Sequence, residues 1–225
     1  MSVVFTTSKN MNVDILSKNK IFENIPIEKY PDLLAHISHR FVNFKKGDFV
    51  LKAGDTVREI GIILSGHLLV VNECETGSQS IINNIVTNQV FGEALSASQI
   101  NESPFAIVCK EDTEILLLSY QDLITNTADP YHQQMVANVL KLIANKTMQM
   151  NYHLIVTSRR KIRDKLLTYL NLQKTIHQNS TFTIDLNREQ LAAYLFVDRS
   201  ALSFALMKLK REGVLDYYRN SFILK

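Results

Sequence analysis

The stretch that most constrains the fold is Leu186 to Gly213, which reads LNREQLAAYLFVDRSALSFALMKLKREG. Asn187 is an N-cap residue with Gln190 at the capping-box position, and Leu191 and Leu195 follow on one apolar face, so a short amphipathic helix is predicted. Phe196 and Val197 interrupt it. Asp198 then offers a second N-cap, Leu202, Ala205, Leu206 and Leu209 repeat at helical intervals, and Gly213 supplies a stop. Ala192 is small enough to sit where two such helices cross closely. Helix, tight turn and helix in this order make the unit that lays its second helix in the major groove of DNA. On that reading Arg199, Ser200, Ser203 and Phe204 point outward from the second helix as the base-reading set, and Arg188 and Lys208 complete the DNA-facing residues.

The flanks fit the same module. After Gly213, the segment VLDYYRNSFILK has two short runs rich in β-branched and aromatic residues around Arg219 and Asn220, which predicts a terminal hairpin, or wing. Before the motif, Thr181 to Leu186 alternates Phe182, Ile184 and Leu186 with polar residues, as a strand of the same small sheet would. A winged helix-turn-helix is therefore expected over residues 158–225. Charge gives a separate argument. Residues 129–225 carry 15 Lys or Arg against 7 Asp or Glu, a net of +8, whereas residues 1–128 carry 10 against 15, a net of −5. A basic module gains from counterion release on a polyanion, and its acidic neighbour is left for another task.

That neighbour, residues 1–128, reads as β-rich. Apolar runs at Ile60 to Leu64, Leu68 to Val71, Ile81 to Val86 and Ile115 to Leu118 alternate with turn signals at Lys46-Gly47, Gly54-Asp55, Ser65-Gly66, Thr76-Gly77 and Phe91-Gly92. Many short strands at near-regular spacing predict a sandwich or jelly roll, preceded by a short helix at Pro26 to His36. Between the two modules, Val136, Leu140, Ile143, Thr147, Met150 and Leu154 fall in alternating steps of four and three, the spacing of a coiled-coil seam. A helix over residues 129–157 rising about 1.5 Å per residue is roughly 40 Å long, enough to pair two subunits. The fold class is thus α+β.

Other classes of function find little support. No apolar run approaches the roughly 18 to 20 residues that span a bilayer, and MSVVFTTSKNMNVD lacks the basic-then-apolar order of a signal peptide, so a cytoplasmic protein with no membrane partner is expected. Two cysteines, Cys74 and Cys109, make no disulfide framework and cannot ligate an iron–sulfur cluster. His36 and His39 stand three apart without further ligands nearby, which reads as a helix surface; no metal and no cofactor are expected. Neither a nucleophile–base pair nor a phosphate loop is present, so no enzyme is expected.

KKGDFVLKAGD at 45–55, IGIILSGHLLV at 60–70, FGE at 91–93, the long helix, and VDRSALS at 197–203 occur in an order that resembles the cyclic-AMP-receptor and fumarate-nitrate-reductase (Crp/Fnr) regulators, from about Ile21 onward. The resemblance implies a cyclic-nucleotide-binding-like jelly roll, a dimerising helix and a winged helix-turn-helix. It also implies an effector pocket at Gly92, Glu93 and Ser103, with Thr147 reaching in from the helix. Members that bind cyclic AMP follow their Gly-Glu pair with Arg-Ser or Arg-Thr, the Arg pairing with the phosphate. Here the counterpart falls in Asn101-Glu102-Ser103-Pro104, with no cation and an added acid, so cyclic AMP is not the expected effector. Arg199 matches the family's guanine-reading Arg, but Ser200 stands where an acid is usual and Phe204 where a second Arg is usual. Phe can contact only a thymine methyl or the backbone. Phe196 occupies a turn position where Gly is usual, at a cost of about 1 kcal/mol if φ is positive there. The expected protein is a homodimeric regulator of a palindromic operator with an unidentified small-molecule effector and RNA polymerase as a further candidate partner. An alternative keeps the fold but makes it a ligand-binding or protein-interaction module with a drifted, weakly specific DNA-binding domain.

Overall fold

The run Ile60-Gly61-Ile62-Ile63-Leu64 is apolar without alternation, as a strand buried on both faces must be. In the computed structural model, which describes residues 13–73, 79–125 and 129–225, both its faces are covered. The chain divides into two units, residues 1–144 and 145–225. The first holds strands β1 (His39–Phe44), β2 (Phe49–Leu51), β3 (Glu59–Ser65), β4 (His67–Glu73), β5 (Gln79–Val86), β6 (Val90–Phe91), β7 (Ala106–Cys109) and β8 (Thr113–Ser119). They form two antiparallel sheets, ordered β1-β8-β3-β6 and β2-β7-β4-β5. Ile63, Val42 and Leu117 of the first sheet meet Leu68, Val70 and Ile107 of the second in a sandwich core.

The other face of the first sheet is sealed by helices. Four are short: α1 (Val13–Leu16), α2 (Tyr30–Ala35), α3 (Glu93–Ser96) and α4 (Tyr120–Thr125); the fifth, α5, is long (Pro130–Thr157). Ile60, Ile62, Leu64, Leu116 and Leu118 pack on Leu16, Phe22, Tyr30 and Leu33, and on Met135 and Val139 of α5. Gly61 is needed in β3 because the ring of Phe91 occupies the space beside it; a Cβ there would lie 2.2 Å from the ring. Of the expected seam, Val136 and Ile143 are partly covered by this core, whereas Leu140 is 62 % exposed and Leu154 67 %, with Thr147 and Met150 also exposed.

The second unit contains the end of α5, then α6 (Ile162–His177), β9 (Thr181–Thr183), α7 (Arg188–Tyr194), α8 (Arg199–Arg211), β10 (Leu215–Tyr218) and β11 (Ser221–Leu224). The strands form one antiparallel sheet, β10-β11-β9, and Leu166, Leu170, Leu191, Leu206 and Phe222 share its core with Val156 of α5. Helix α6 has no counterpart in the sequence reading. Its buried residues Leu166, Tyr169 and Leu170 fall at helical spacing, but its N-cap position holds Lys161, which makes no side-chain capping bond, so its start carries no signal.

Other details differ as well. Residues Thr181 to Leu186 were expected as one strand, but β9 stops at Thr183 because Leu186 lies just before the N-cap of α7. His36 and His39 do not share a helix: His36 caps the end of α2 and His39 begins β1. Glu93 is the first residue of α3. The Thr76-Gly77 turn and Cys74 lie outside the described residues.

Candidate nucleic-acid interface and effector site

Asn187 opens α7 with a reciprocal cap. Its side-chain oxygen accepts from the backbone N–H of Glu189 (3.0 Å) and Gln190 (2.9 Å), while Gln190 Oε1 accepts from the Asn187 N–H (2.8 Å). Leu191 and Ala192 then bury against Leu202, Leu206 and Leu209 of α8. Between them Phe196 adopts φ 51°, the left-handed region that disfavours a Cβ-bearing residue by roughly 1 kcal/mol or more. The turn is held from two sides. His153 of α5 donates from Nε2 to the Tyr194 carbonyl (2.8 Å) and lies against the rings of Tyr194 (4.4 Å) and Phe196 (5.4 Å). Lys165 of α6 donates to the Leu195 carbonyl (2.8 Å). Carbonyls at the end of α7, which have no partner within the helix, are thereby satisfied.

Helix α8 starts at Asp198, whose backbone has cap geometry but whose side chain makes no capping bond. Its buried stripe of Leu202, Leu206 and Leu209 turns Arg199, Ser200, Ser203, Phe204 and Lys208 outward, all exposed. Ser203 donates its hydroxyl to the Arg199 carbonyl (2.9 Å), a bond within the helix. Lys208, Lys210 and Arg211 sit at the negative end of the helix dipole, and Lys210 pairs with Asp216 at 2.5 Å.

Arg188 belongs to a different environment from the rest of its predicted set. Its guanidinium lies 5.0 Å from the Tyr217 ring and 5.1 Å from the Phe222 ring and donates to the Arg219 carbonyl, so it joins α7 to the wing. Its Nη1 is buried without a hydrogen-bond partner, and burial lowers its pKa. At the tip of the wing Arg219, with φ 49°, is exposed beside Tyr218. In the sequence Arg219 is marked only as a turn residue of the hairpin.

In the first unit, Gly92 and Glu93 sit where β6 passes into α3. Gly92 has φ 79°, and a Cβ would come within 2.8 Å of the Glu59 carbonyl, so this position requires glycine. Glu93 is only 4 % exposed. Ser103 is buried too, and its hydroxyl donates to the Phe105 carbonyl (2.7 Å). Its loop is tied to residues 54–57: Gly54 N–H donates to the Ser103 carbonyl (2.8 Å), Ser103 N–H to Asp55 (2.9 Å) and Val57 N–H to Asn101 (2.8 Å). Gly92 and Ser103 thus adjoin opposite ends of the segment 54–59, while Thr147 lies on α5 in the second unit. Glu102 is exposed, and the sequence has no Lys or Arg between Arg58 and Lys110.

Among the described residues no group of three or more His, Cys, Asp or Glu could hold a metal, and no helix is long and apolar enough to cross a membrane. Cys109 is buried in the sandwich, which pushes its thiol up to about 11 and keeps it protonated near neutrality.

Residues 41–125 match the cyclic nucleotide-binding domain family. Over 203 residues the chain is 20 % identical to electron transport regulator A of Shewanella oneidensis, covering 82 % of this chain and 74 % of that protein. Its fold is similar to the catabolite activator protein of Thermus thermophilus, with a TM-score of 0.52, 20 % identity and coverage of 92 % and 94 % of the two chains. It is also similar to CprK in complex with OCPA, with a TM-score of 0.56, 19 % identity and coverage of 88 % and 90 %. The chain therefore contains a segment that matches the cyclic nucleotide-binding domain family, within a fold similar to that of these two proteins. The loop at Asn101 to Pro104 holds no Lys or Arg.

Proposed function

We propose that the protein is a homodimeric transcriptional regulator that reads DNA in a sequence-specific way through α8, in the cytoplasm, with its β-sandwich sensing a signal other than cyclic AMP. The observation that carries this reading is the outward face of α8. A reading helix must present unsatisfied donors on one face while its other face is anchored, and Arg199 heads such a face above the buried Leu202, Leu206 and Leu209. The net charge of +8 on residues 129–225 supplies the phosphate attraction that any sequence shares. Exposed apolar residues on α5, Leu140 and Leu154 among them, support pairing of two copies through that helix. Two-fold pairing in turn implies a palindromic operator. Contact with RNA polymerase is a further expectation of the same reading.

The assignment is tested at Arg199. Arg199→Ala is expected to cost about 1 to 3 kcal/mol at one base pair per half-site, seen as a lost preference in a binding selection. An unchanged preference at every position would remove α8 from the interface.

The effector reading follows from charge. A cyclic nucleotide would bring a negative phosphate to a stretch that holds Glu93 and Glu102 and no cation from residue 59 to 109. Any ligand of this site is neutral or cationic. Calorimetry with millimolar cyclic AMP or cyclic GMP is expected to show no saturable heat and no change in DNA affinity, and a micromolar Kd for either nucleotide would contradict the reading.

A further inference from the structure

Phe204 does not match its setting. It is 64 % exposed on α8, one turn after Ser200 and one turn before Lys208, on a face otherwise made of polar and charged groups. Holding a large ring in water on a well-formed helix gives the fold nothing, because the hydrophobic contribution is lost wherever apolar surface stays wet. The ring is also not alone. It lines a cleft of about 470 Å³ with Ile162 from the first turn of α6 and with Ala201 and Ala205 of α8, while Arg163 and Lys208 contribute cations to the same lining. Arg163 is already engaged by Glu212.

An apolar recess flanked by cations, with Ser200 in its lining, has one matching feature in the major groove of DNA. Base edges there present donors and acceptors, and the C5-methyl group of thymine is the only apolar group among them. We infer that the cleft around Phe204 recognises the methyl group of a thymine in each half-site, at a base pair distinct from the one met by Arg199. Ser200 cannot supply this selectivity, since its hydroxyl both donates and accepts. The inference rests on the reading of α8 as the DNA-contacting helix.

The test uses the full chain and the duplex that it enriches from a random library. Each thymine of a half-site is replaced in turn by uracil, which removes the methyl and leaves every hydrogen-bonding group in place. Burial of one methyl corresponds to about a fourfold change in affinity, so uracil at one position of the half-site is expected to weaken binding about fourfold and at the others to have little effect. Phe204→Ala is expected to bind the thymine and uracil duplexes equally, Phe204→Leu to keep part of the difference, and Arg199→Ala to keep it whole. Uracil tolerated at every position would overturn the inference. So would a thymine preference that survives Phe204→Ala, or a Phe204→Ala variant that weakens all duplexes alike with its thymine-to-uracil ratio intact, the signature of a backbone contact. Failure to enrich any sequence would instead defeat the reading of α8 itself, and the inference with it.

Discussion

Gly61 and Phe196 show how single residues carry decisions that reach far along the chain. Gly61 leaves room for the Phe91 ring in the middle of β3, and the ring would have to move for even one added carbon. Gly61→Ala should therefore destabilise the sandwich by about 1 to 3 kcal/mol, read as a lowered denaturant midpoint with an unchanged slope; an unaltered midpoint would mean that the ring shifts freely. Phe196 is the reverse case, a bulky residue placed where glycine is easier. Its strained position is what the family resemblance implies, because glycine is usual at this turn. What compensates the strain is not legible in the sequence. His153 and Lys165 reach its turn across 41 and 30 residues of sequence, and no local pattern announces contacts of that range.

At the scale of elements, legibility followed length and patterning. β3, β4, β5 and β8 were visible as apolar runs, and α7 and α8 as apolar residues at helical spacing after an N-cap residue type, although in β5 only Ile85 of its run is buried. β2 and β6, with three and two residues, are strands only because their partners make them so. Helix α6 lacks an N-cap residue type at its start: Lys161 holds that position and makes no capping bond. Arg188 shows the limit for a site residue: its position near the start of α7 suits a DNA contact, but only the fold reveals the wing rings beside it. Arg188→Ala is expected to lower stability by about 1 to 2 kcal/mol through lost ring contact and to weaken DNA binding for all sequences alike. A selective change in base preference without loss of stability would make Arg188 a base-reading residue instead.

At the scale of the whole molecule, one helix, α5, contributes to the core of both units, Met135 and Val139 in the first and Val156 in the second. Charge divides along the chain as well, because net charges of −5 over residues 1–128 and +8 over residues 129–225 sum to +3. Residue identity names no effector; Glu93 and Ser103 are buried, and the Ser103 hydroxyl is bonded to the Phe105 carbonyl. If α5 pairs two copies, the two α8 faces are related by a two-fold axis and the bound DNA must share that symmetry. Enrichment of random duplex DNA by the full-length protein measures this directly. The expected result is a two-fold symmetric site whose half-sites lie about one helical turn apart; recovery of no preferred sequence, or of a single unrepeated half-site, would contradict a dimeric, sequence-specific regulator.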